Sequence, residues 1–446
     1  MMKEIILEAV DYCFTNGIVK YNSQFVLTHA PICLSPFQIP EEVLDSIVAL
    51  TPVYNELMVK VGNNRDFLQE HLKAVAKTDL FIKKLLDLLS ETDTSHHLQI
   101  SRNDFLLTDD NNSGLLIPKQ VEFNTISNSF PYLSGKVYQL HQYMVKRLHC
   151  QGKLVKNDPL EGVVDAMGEV VTYYDVPNTY LLMVVQSQEQ NLFDQRGIEY
   201  RLLDKYGIQT IRMTLEEVAE HGCIRKGHLV VNNRVIALTY FRAAYTPNDY
   251  TTNEAWNGRI LIEKSSTIKC PSVGMQLAGA KKIQQVLAKP GIIEQFLPAE
   301  LAREIRKNFA AIYELDEKVN SQTAFDLAMQ SPHDYVLKPQ REGGGNNLYG
   351  EEMVAALKGF NNAEKQAYIL MERIKPPGET SILVVDKTAE EVKTVSEIGR
   401  YATCFYDGSI INFNRDIGYL VRTKSANQNE GGVCAGYACL NSQCVR

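Results

Sequence analysis

Hydrophobic and polar residues follow two different periods along this chain. Apolar positions recur at helical spacing in two early segments, EIILEAVDYCF and FLQEHLKAVAKTDLFIKKLLDLL. A strand pattern follows in LQISRNDFLL and LLIPKQVEFNTIS, and the polar turn TDDNNSG between them predicts a β-hairpin. The helical pattern returns from Leu277 through about Ala328. The predicted strands of the last part are YVLKP, AYILME, SILVVD, VKTVSEIG and YATCFYDGSIINFN, which turns at Asp407–Gly408.

Strand and helix patterns alternate between residues 179 and 245. The strand TYLLMVV precedes the helix NLFDQRGIEYRLLDKYG, and the strand IQTIRM precedes TLEEVAEHG, which begins with a capping box at Thr214 and Glu217. A hairpin around Asn232 and Asn233 follows. Such alternation is typical of a parallel α/β module. We predict an α/β chain in which residues 176–275 are inserted into an α+β body made of residues 1–175 and 276–446.

Composition narrows the class of protein. The 446 residues are 45% hydrophobic and 22% charged, which is ample for a sizeable core. The net charge of −7, with Lys and Arg spread along the chain, argues against a nucleic-acid or anionic-membrane partner. The nine cysteines are scattered without a CxxC pair, and the first residues have no signal-peptide layout. We expect a cytoplasmic protein with no membrane span.

A glycine-rich loop, VLKPQREGGGNNLYGEE, separates a predicted strand from a predicted helix near Gly350. Glycines let backbone N–H groups approach phosphate oxygens, but the loop has neither the Walker A nor the G-x-G-x-x-G spacing. On the glycines alone, a flexible hinge would be the better interpretation. Lys338 at the end of a buried strand calls for an anion, and Glu342 is placed to hold Mg²⁺ against phosphates. These neighbours favour an ATP loop.

Two further sites carry acidic or amide oxygens. Glu122 and Asn124 stand at i and i+2 on a predicted strand, so both project to one side and suit a metal, although a solvent-facing strand is the alternative. Glu397 is flanked by apolar residues, and an internal ion pair is as well supported as a ligand role.

Polar residues also follow the strands of the α/β module. Glu189, Asn191 and Gln195 come after TYLLMVV, and Arg242 and Tyr245 end a later strand. Ligands collect at the carboxyl ends of such strands, and an Arg there suits a carboxylate. The alternatives are a capped helix start and a structural ion pair.

A basic pair, Arg422 and Lys424, precedes a second glycine pair and suggests a lid that closes on an anionic ligand. The chain has no HExxH and no G-x-S-x-G motif. Taken together, the candidates describe ATP and Mg²⁺ beside a carboxylate site. Such a site would phosphorylate a carboxylate for attack by an amine, with catalysis by positioning and charge neutralisation.

Several motifs carry a resemblance that runs essentially the whole length of the chain. They are KPQREGGGNNLYGEE, VEFNTIS, FDQR, YFR, QLAGAKKIQQ, ILMERI, SEIG and LVRTK followed by GGV. In order and spacing the chain resembles the eukaryotic-type glutathione synthetases. The resemblance implies an ATP-grasp ligase that joins γ-glutamylcysteine to glycine with ATP and two Mg²⁺ ions per subunit, acting as a homodimer. A β-alanine-using ligase and a non-catalytic ATP-binding scaffold are the alternatives.

The resemblance also implies residue roles. The catalytic residues would be Lys338, Gly343 and Arg422, and the magnesium ligands Glu122, Asn124 and Glu342. The implied ATP-binding residues are Glu122, Lys281, Lys338, Glu342, Gly343, Gly344, Gly345, Asn346, Asn347, Tyr349, Met371, Glu372, Arg373, Ile374, Glu397, Lys424 and Glu430. The implied substrate-binding residues are Arg102, Ile126, Ser127, Asn128, Ser129, Glu189, Gln190, Asn191, Gln195, Arg242, Ala243, Ala244, Tyr245, Arg422, Val433 and Cys434. Cys434 stands where the family has alanine, in the segment that distinguishes glycine from a longer acceptor.

Overall fold

A computed structural model describes residues 2–92, 96–110, 113–148, 152–319, 322–340, 346–429, 431–433, 436 and 438–445. The helices are α1 (Met2–Thr15), α2 (Glu41–Asn63), α3 (Arg65–Leu72), α4 (Leu80–Glu91), α5 (Pro131–Leu148), α6 (Pro159–Tyr173), α7 (Leu192–Tyr206), α8 (Leu215–His221), α9 (Asn253–Lys264), α10 (Val273–Ala278), α11 (Lys281–Ala288), α12 (Ala299–Lys307), α13 (Ala324–Gln330), α14 (Gly350–Gly359) and α15 (Asn362–Gln366).

The strands are short except for a central group of long ones. They are β1 (Val19–Tyr21), β2 (Leu27–His29), β3 (Ile32–Cys33), β4 (Phe37–Ile39), β5 (His96–Asp109), β6 (Leu116–Asn124), β7 (Lys153–Leu154), β8 (Tyr180–Val184), β9 (Thr210–Met213), β10 (Gly222–Arg225), β11 (His228–Val231), β12 (Arg234–Phe241), β13 (Ile268–Cys270), β14 (Ile312–Tyr313), β15 (Lys318–Val319), β16 (Gln322–Thr323), β17 (Tyr335–Pro339), β18 (Leu348–Tyr349), β19 (Tyr368–Glu372), β20 (Glu379–Val385), β21 (Thr388–Asp407), β22 (Ile411–Ser425), β23 (Cys439–Asn441) and β24 (Gln443–Val445).

The early helical prediction is confirmed with one break. The second predicted segment divides into α3 and α4, because the Asp79 side chain accepts hydrogen bonds from the backbone N–H groups of Phe81 and Ile82 and so starts a new helix. Leu85 and Leu89 of α4 are buried in the main core. Among the described helices, none combines the length and apolar character needed to cross a membrane.

Thirteen of the described strands form one mixed sheet. Its centre is an antiparallel group in which β5 pairs with both β6 and β21, and β21 pairs with β22. The predicted hairpin of β5 and β6 is therefore confirmed. The register places Asp104 of β5 between Glu122 on one side and Gly399 on the other. It also places Glu397 opposite Arg422. Residues distant in sequence thus meet on one face.

The predicted α/β alternation is confirmed in β8, β9 and β12, and these strands pair in parallel with each other and with β13, which was not predicted. Helix α7 ends at Gly207, whose φ of 69° is left-handed, and α8 begins with the predicted capping box of Thr214 and Glu217. Strand β13 pairs with β5, so these strands continue the sheet of the body. The limits at residues 176 and 275 stay a prediction.

A separate four-stranded sheet follows the order β14, β19, β17 and β18. Leu337, Leu370 and Met353 form part of the core between this sheet and its helices. Helix α14 begins at Gly350 as predicted, after the strand that carries Lys338. The glycines of the preceding loop lie outside the described residues.

Two predicted elements are corrected by the structure. The segment 277–328 is not helical throughout, since β14, β15 and β16 interrupt it. A two-residue strand is too short to show a period of two, and β14 pairs with the distant β19 whereas β15 and β16 pair with each other. In addition, VKTVSEIG does not end a strand. β21 runs through Gly399 to Asp407, and the predicted turn at Asp407–Gly408 then leads into β22.

Candidate active site

A cavity of about 1440 Å³ is lined jointly by the central sheet, the four-stranded sheet and the loops at the ends of β8 and β12. The sequence-predicted residues that line it are Arg102, Glu122, Asn124, Ile126, Ser127, Asn128, Ser129, Glu189, Gln190, Asn191, Arg242, Tyr245, Lys281, Lys338, Asn346, Asn347, Tyr349, Met371, Glu372, Arg373, Ile374, Glu397, Arg422, Lys424 and Val433. Nearly all the described candidates therefore share one cavity.

Three predicted residues lie behind the cavity wall. Gln195, Ala243 and Ala244 are buried and do not line the cavity. Gln195 donates a hydrogen bond of 2.6 Å to Glu189 Oε2 and accepts one of 2.7 Å from Arg212 Nη2, so it supports a lining residue from behind. The predicted residues that lie outside the described residues are Glu342, Gly343, Gly344, Gly345, Glu430 and Cys434.

Strand β6 presents Glu122 and Asn124 to the cavity, while Phe123 between them is buried in the core. Lys281 Nζ lies 2.5 Å from Glu122 Oε2. Burial alone would raise the pKa of Glu122, but Lys281 and the nearby Lys338 lower it well below its usual range. Glu122 is therefore a carboxylate at neutral pH, held beside two ammonium groups at the end of β6.

A buried carboxylate, Asp104, joins several predicted residues. Its Oδ1 accepts from Arg102 Nε at 2.6 Å, and its Oδ2 accepts from Arg102 Nη2 at 2.8 Å and Arg422 Nη2 at 2.9 Å. Asn124 Nδ2 donates to the same Oδ2 at 3.0 Å. Sequence analysis missed Asp104. The signal was the i, i+2 spacing of Arg102 and Asp104 on one strand face.

Glu397 shares Arg422 with this carboxylate. Arg422 Nη2 donates to Glu397 Oε1 as well as to Asp104, so the internal ion pair expected for Glu397 is present. Burial raises the pKa of Glu397, even though Arg422 opposes the shift. Glu397 also lines the cavity, and both interpretations of this residue therefore describe its position.

The α/β module supplies a further buried cation, Arg242. Arg242 Nη2 donates to Ser129 Oγ at 2.6 Å, whereas its Nε and Nη1 have no hydrogen-bond partner among the described residues. Asp194 of α7 accepts from the backbone N–H of Phe130 at 2.8 Å and so holds the loop that carries Ser129. A buried guanidinium with open donors in a cavity is suited to a ligand carboxylate.

The four-stranded sheet and the loop after β22 meet in the lining of the cavity. Arg373 lies over the Tyr349 ring, 5.4 Å from its centroid, and donates to Asn429 Oδ1 at 3.1 Å. Lys424 Nζ donates to the backbone oxygen of Asn429 at 2.6 Å. The loop after β22 therefore contacts the strand end that borders the cavity. Further lining residues missed by sequence analysis include Ser23, Phe25, Gln186, Gln188, Thr246, Asn248, His333, Lys375, Val395, Gln428 and Asn429.

The architecture matches that of a solved structure, a glutathione synthetase-like effector from Globodera pallida in its apo form. The TM-score is 0.80 at 19% identity, covering 100% of this chain and 97% of that one. The chain therefore has the mixed α/β ATP-grasp fold.

Sequence comparisons identify the family. The model for eukaryotic glutathione synthase, ATP binding domain, matches residues 1–445. The Homo sapiens glutathione synthetase is 36% identical over 459 residues, covering 99% of this chain and 96% of the relative. The chloroplastic glutathione synthetase of Arabidopsis thaliana is 38% identical over 431 residues, covering 93% and 78% respectively. The chain belongs to the eukaryotic glutathione synthase family and is therefore an ATP-dependent ligase.

Proposed function

We propose that this chain ligates γ-glutamylcysteine to glycine at the expense of ATP. The γ-phosphoryl group passes to the cysteinyl carboxylate of γ-glutamylcysteine, and ADP leaves. The glycine amine then attacks the acyl phosphate, forms the peptide bond, and displaces phosphate to give glutathione. The observation that carries the proposal is the single cavity that joins the Glu122–Lys281 pair to the buried cations Arg102 and Arg242 and to the partly buried Arg422.

The residues of this cavity supply charge and position. Lys281 and Lys338 lie beside the end of β6, where they would neutralise charge that develops on a transferring phosphoryl group. Arg102 and Arg242 suit the two ends of γ-glutamylcysteine, and Arg422 suits the glycine end. Met371, Tyr349 and Arg373 would border the nucleotide base. The chemistry requires no nucleophilic side chain, since both reacting groups come from substrates.

Magnesium ions, two per subunit, complete the proposal. Glu122 and Asn124 fit this ion, because both line the cavity and offer the hard oxygen ligands that Mg²⁺ prefers. We assign Glu342 as the third ligand on the family motif alone. The ions, when bound, would neutralise and orient the phosphates of ATP. The division at residues 176 and 275, with a nucleotide-binding body and a substrate-binding module, is part of the same proposal.

ADP release, measured with each substrate omitted in turn, tests the reaction. We expect release to require both γ-glutamylcysteine and an amino-acid acceptor. Equal release without γ-glutamylcysteine would exclude the ligase, because ATP would then be hydrolysed independently of that substrate. No release with all substrates present would also exclude the ligase and would leave an ATP-binding scaffold. A higher kcat/KM with β-alanine than with glycine would instead identify β-alanine as the acceptor. Cys434, which departs from the family, stands in the sequence segment that distinguishes the two acceptors.

We also propose a homodimer. Val26 and Leu27, in the β1–β2 hairpin and outside the cavity lining, are 56% and 48% exposed, which is unusual for two consecutive large apolar side chains. A second copy would cover them. Light scattering should give twice the chain mass of 50.3 kDa, and Val26→Asp should reduce it to a single chain mass. Leu80→Asp, at an exposed leucine elsewhere, is the matched control.

We place the enzyme in the cytoplasm. The described cysteines Cys13, Cys33, Cys270, Cys404 and Cys439 are buried free thiols, a state that a reducing compartment maintains. Fractionation of cells that carry the tagged protein should recover it with the cytosolic markers. Recovery in an organelle fraction would contradict this assignment.

A further inference from the structure

We propose that Asp104 is a positioning residue that sets the orientation of Arg102, Arg422 and Asn124 together. The proposal rests on the proposed function, because those three residues are the ones assigned to substrate and metal. Asp104 itself does not line the cavity. Its effect on substrates would therefore pass through the side chains that it binds.

The Asp104 carboxylate accepts four side-chain hydrogen bonds. Asp104 is 0% exposed, and a carboxylate without water is stable only when cations and hydrogen-bond donors replace it. Arg102 binds both oxygens in the bidentate geometry, and Arg422 and Asn124 share Oδ2. Arg102 belongs to β5, Asn124 to β6 and Arg422 to β22, so Asp104 ties three strands to one point.

Asp104 also determines which end of the Asn124 amide is left for the cavity. An ionised carboxylate and a backbone carbonyl can only accept hydrogen bonds. Asn124 contacts both kinds of acceptor, Asp104 Oδ2 at 3.0 Å and the Arg102 carbonyl oxygen at 3.3 Å. The amide nitrogen must therefore face Asp104, and the carbonyl oxygen is the atom left for a cation. Without the charge on Asp104, the amide could rotate and present its nitrogen instead.

The backbone of β21 leaves room for the Arg102–Asp104 pair at a glycine. Gly399 of β21 lies opposite Asp104. A Cβ at Gly399 would stand 2.6 Å from Asp104 Oδ1 and 2.7 Å from Arg102 Cδ. The ion pair therefore fills the space above a glycine, where a larger residue would displace it. The same strand register also brings Glu397 to Arg422.

Binding measurements on Asp104→Asn test the proposal, with Asp416→Asn as the matched control. Asp416 of β22 accepts from Arg400 Nε of β21 at 2.9 Å in the same sheet, but neither residue lines the cavity. For Asp104→Asn we expect γ-glutamylcysteine to bind about tenfold more weakly by calorimetry. We expect a similar loss for Mn²⁺ followed by electron paramagnetic resonance with a non-hydrolysable ATP analogue. The control should stay within about twofold of wild type.

The outcomes separate positioning from a structural role. A purely structural Asp104 would lower the free energy of unfolding but leave both affinities of the folded variant unchanged, and that result would overturn the proposal. Should Asp104→Asn fail to fold, Asp104→Glu decides, since it keeps the charge but displaces the oxygens by one methylene. Wild-type affinities for Asp104→Glu would also overturn it. Failure of the proposed function is distinguishable, because it would appear in the wild-type ADP-release assay.

Discussion

The ammonium group of Lys281 lies 2.5 Å from Glu122 Oε2, which joins helix α11 to the end of strand β6 within the cavity. Both side chains are largely removed from water. The pair therefore brings together a group assigned to phosphate and a group assigned to metal. Neither can move without affecting the other, so a change at Lys281 should be visible in both stability and nucleotide binding.

We predict that Lys281→Met lowers the free energy of unfolding by about 1.5–3 kcal/mol, the range for a lost hydrogen bond to a charged group. The affinity for a non-hydrolysable ATP analogue should fall as well. Urea denaturation and calorimetry measure the two effects. Lys289→Met is the matched control, because Lys289 makes a half-exposed ion pair with Glu314 and should cost at most about 1 kcal/mol. Equal effects of the two variants would contradict the prediction.

Stability should depend on pH through His141. This ring is buried, with Nε2 3.0 Å from the Cys33 carbonyl oxygen and Nδ1 2.6 Å from Ser442 Oγ. Burial lowers the pKa of His141 to about 4. Between that value and the ordinary pKa of about 6.5, only the unfolded chain binds the proton. Acidification therefore lowers the free energy of unfolding, and this decrease is complete only below the pKa of His141 in the folded protein.

From pH 7 to pH 5, His141 should account for about 2 kcal/mol of lost unfolding free energy. We predict that His141→Gln, although less stable at pH 7, loses correspondingly less on acidification. Urea denaturation at the two pH values measures this difference. His221→Gln, at a more exposed ring, should behave as wild type. An unchanged pH dependence in His141→Gln would show that the ring is not the titrating group.

The fold was predictable wherever a local pattern determines an element. The capping box at Thr214 is an example, since its partner Glu217 is only three residues away. The continuity of β21 was not predictable, because Gly399 looks like a strand end. The glycine is needed at position 399 because the side chains of Arg102 and Asp104 on the neighbouring strand occupy the space that a Cβ would take. The short strands of segment 277–328 were missed because two residues are too few to show an alternating pattern, and β14 in addition pairs with the distant β19.

The candidate site was predictable mainly through motifs. Most described candidates line one cavity, yet no local pattern joins Asp104 to Arg422, which is 318 residues away. Gln195, in contrast, was predicted to contact a ligand but does not line the cavity. Its position one turn from Asn191 suggested a ligand contact, but its side chain turns toward Glu189 and Arg212. Sequence proximity to a site therefore did not establish contact with the cavity.

We predict that Arg422→Ala raises the barrier for ligation by about 2–5 kcal/mol, the cost of leaving a desolvated charge without its partner. Without this guanidinium, a substrate carboxylate would lose its cation, and so would the carboxylates of Asp104 and Glu397. Initial rates at varied glycine give the change in kcat/KM. Arg415→Ala, on the same strand, removes an exposed pair with Glu169 and should have little effect. An unchanged kcat/KM in Arg422→Ala would remove this residue from the site.

Glu342→Gln tests the third assigned metal ligand. The loss of one ligating charge should lower kcat by orders of magnitude, because Mg²⁺ would no longer be fixed against the transferring phosphoryl group. Steady-state kinetics at saturating magnesium measure the effect. Glu352→Gln, at an exposed residue in the first turn of α14, is the control. Near-normal turnover in Glu342→Gln would exclude it as a ligand.

Gly399→Ala should disturb substrate binding from beneath the Arg102–Asp104 pair. The added methyl would lie 2.6 Å from Asp104 Oδ1 and 2.7 Å from Arg102 Cδ, closer than any real contact. Both side chains are buried and bonded to each other, so neither can yield without breaking the pair. Overpacking of this kind costs about 1–3 kcal/mol of stability.

We therefore expect Gly399→Ala to lower the free energy of unfolding by that amount and to weaken γ-glutamylcysteine binding through Arg102. Denaturation and calorimetry on the same preparation separate the two effects. Gly359→Ala is the matched control, since a Cβ at that position meets nothing within 4 Å. Wild-type affinity in a destabilised Gly399→Ala would mean that the strands separate while the pair stays in place. Lost affinity at near-normal stability would mean that the pair moves and the sheet does not.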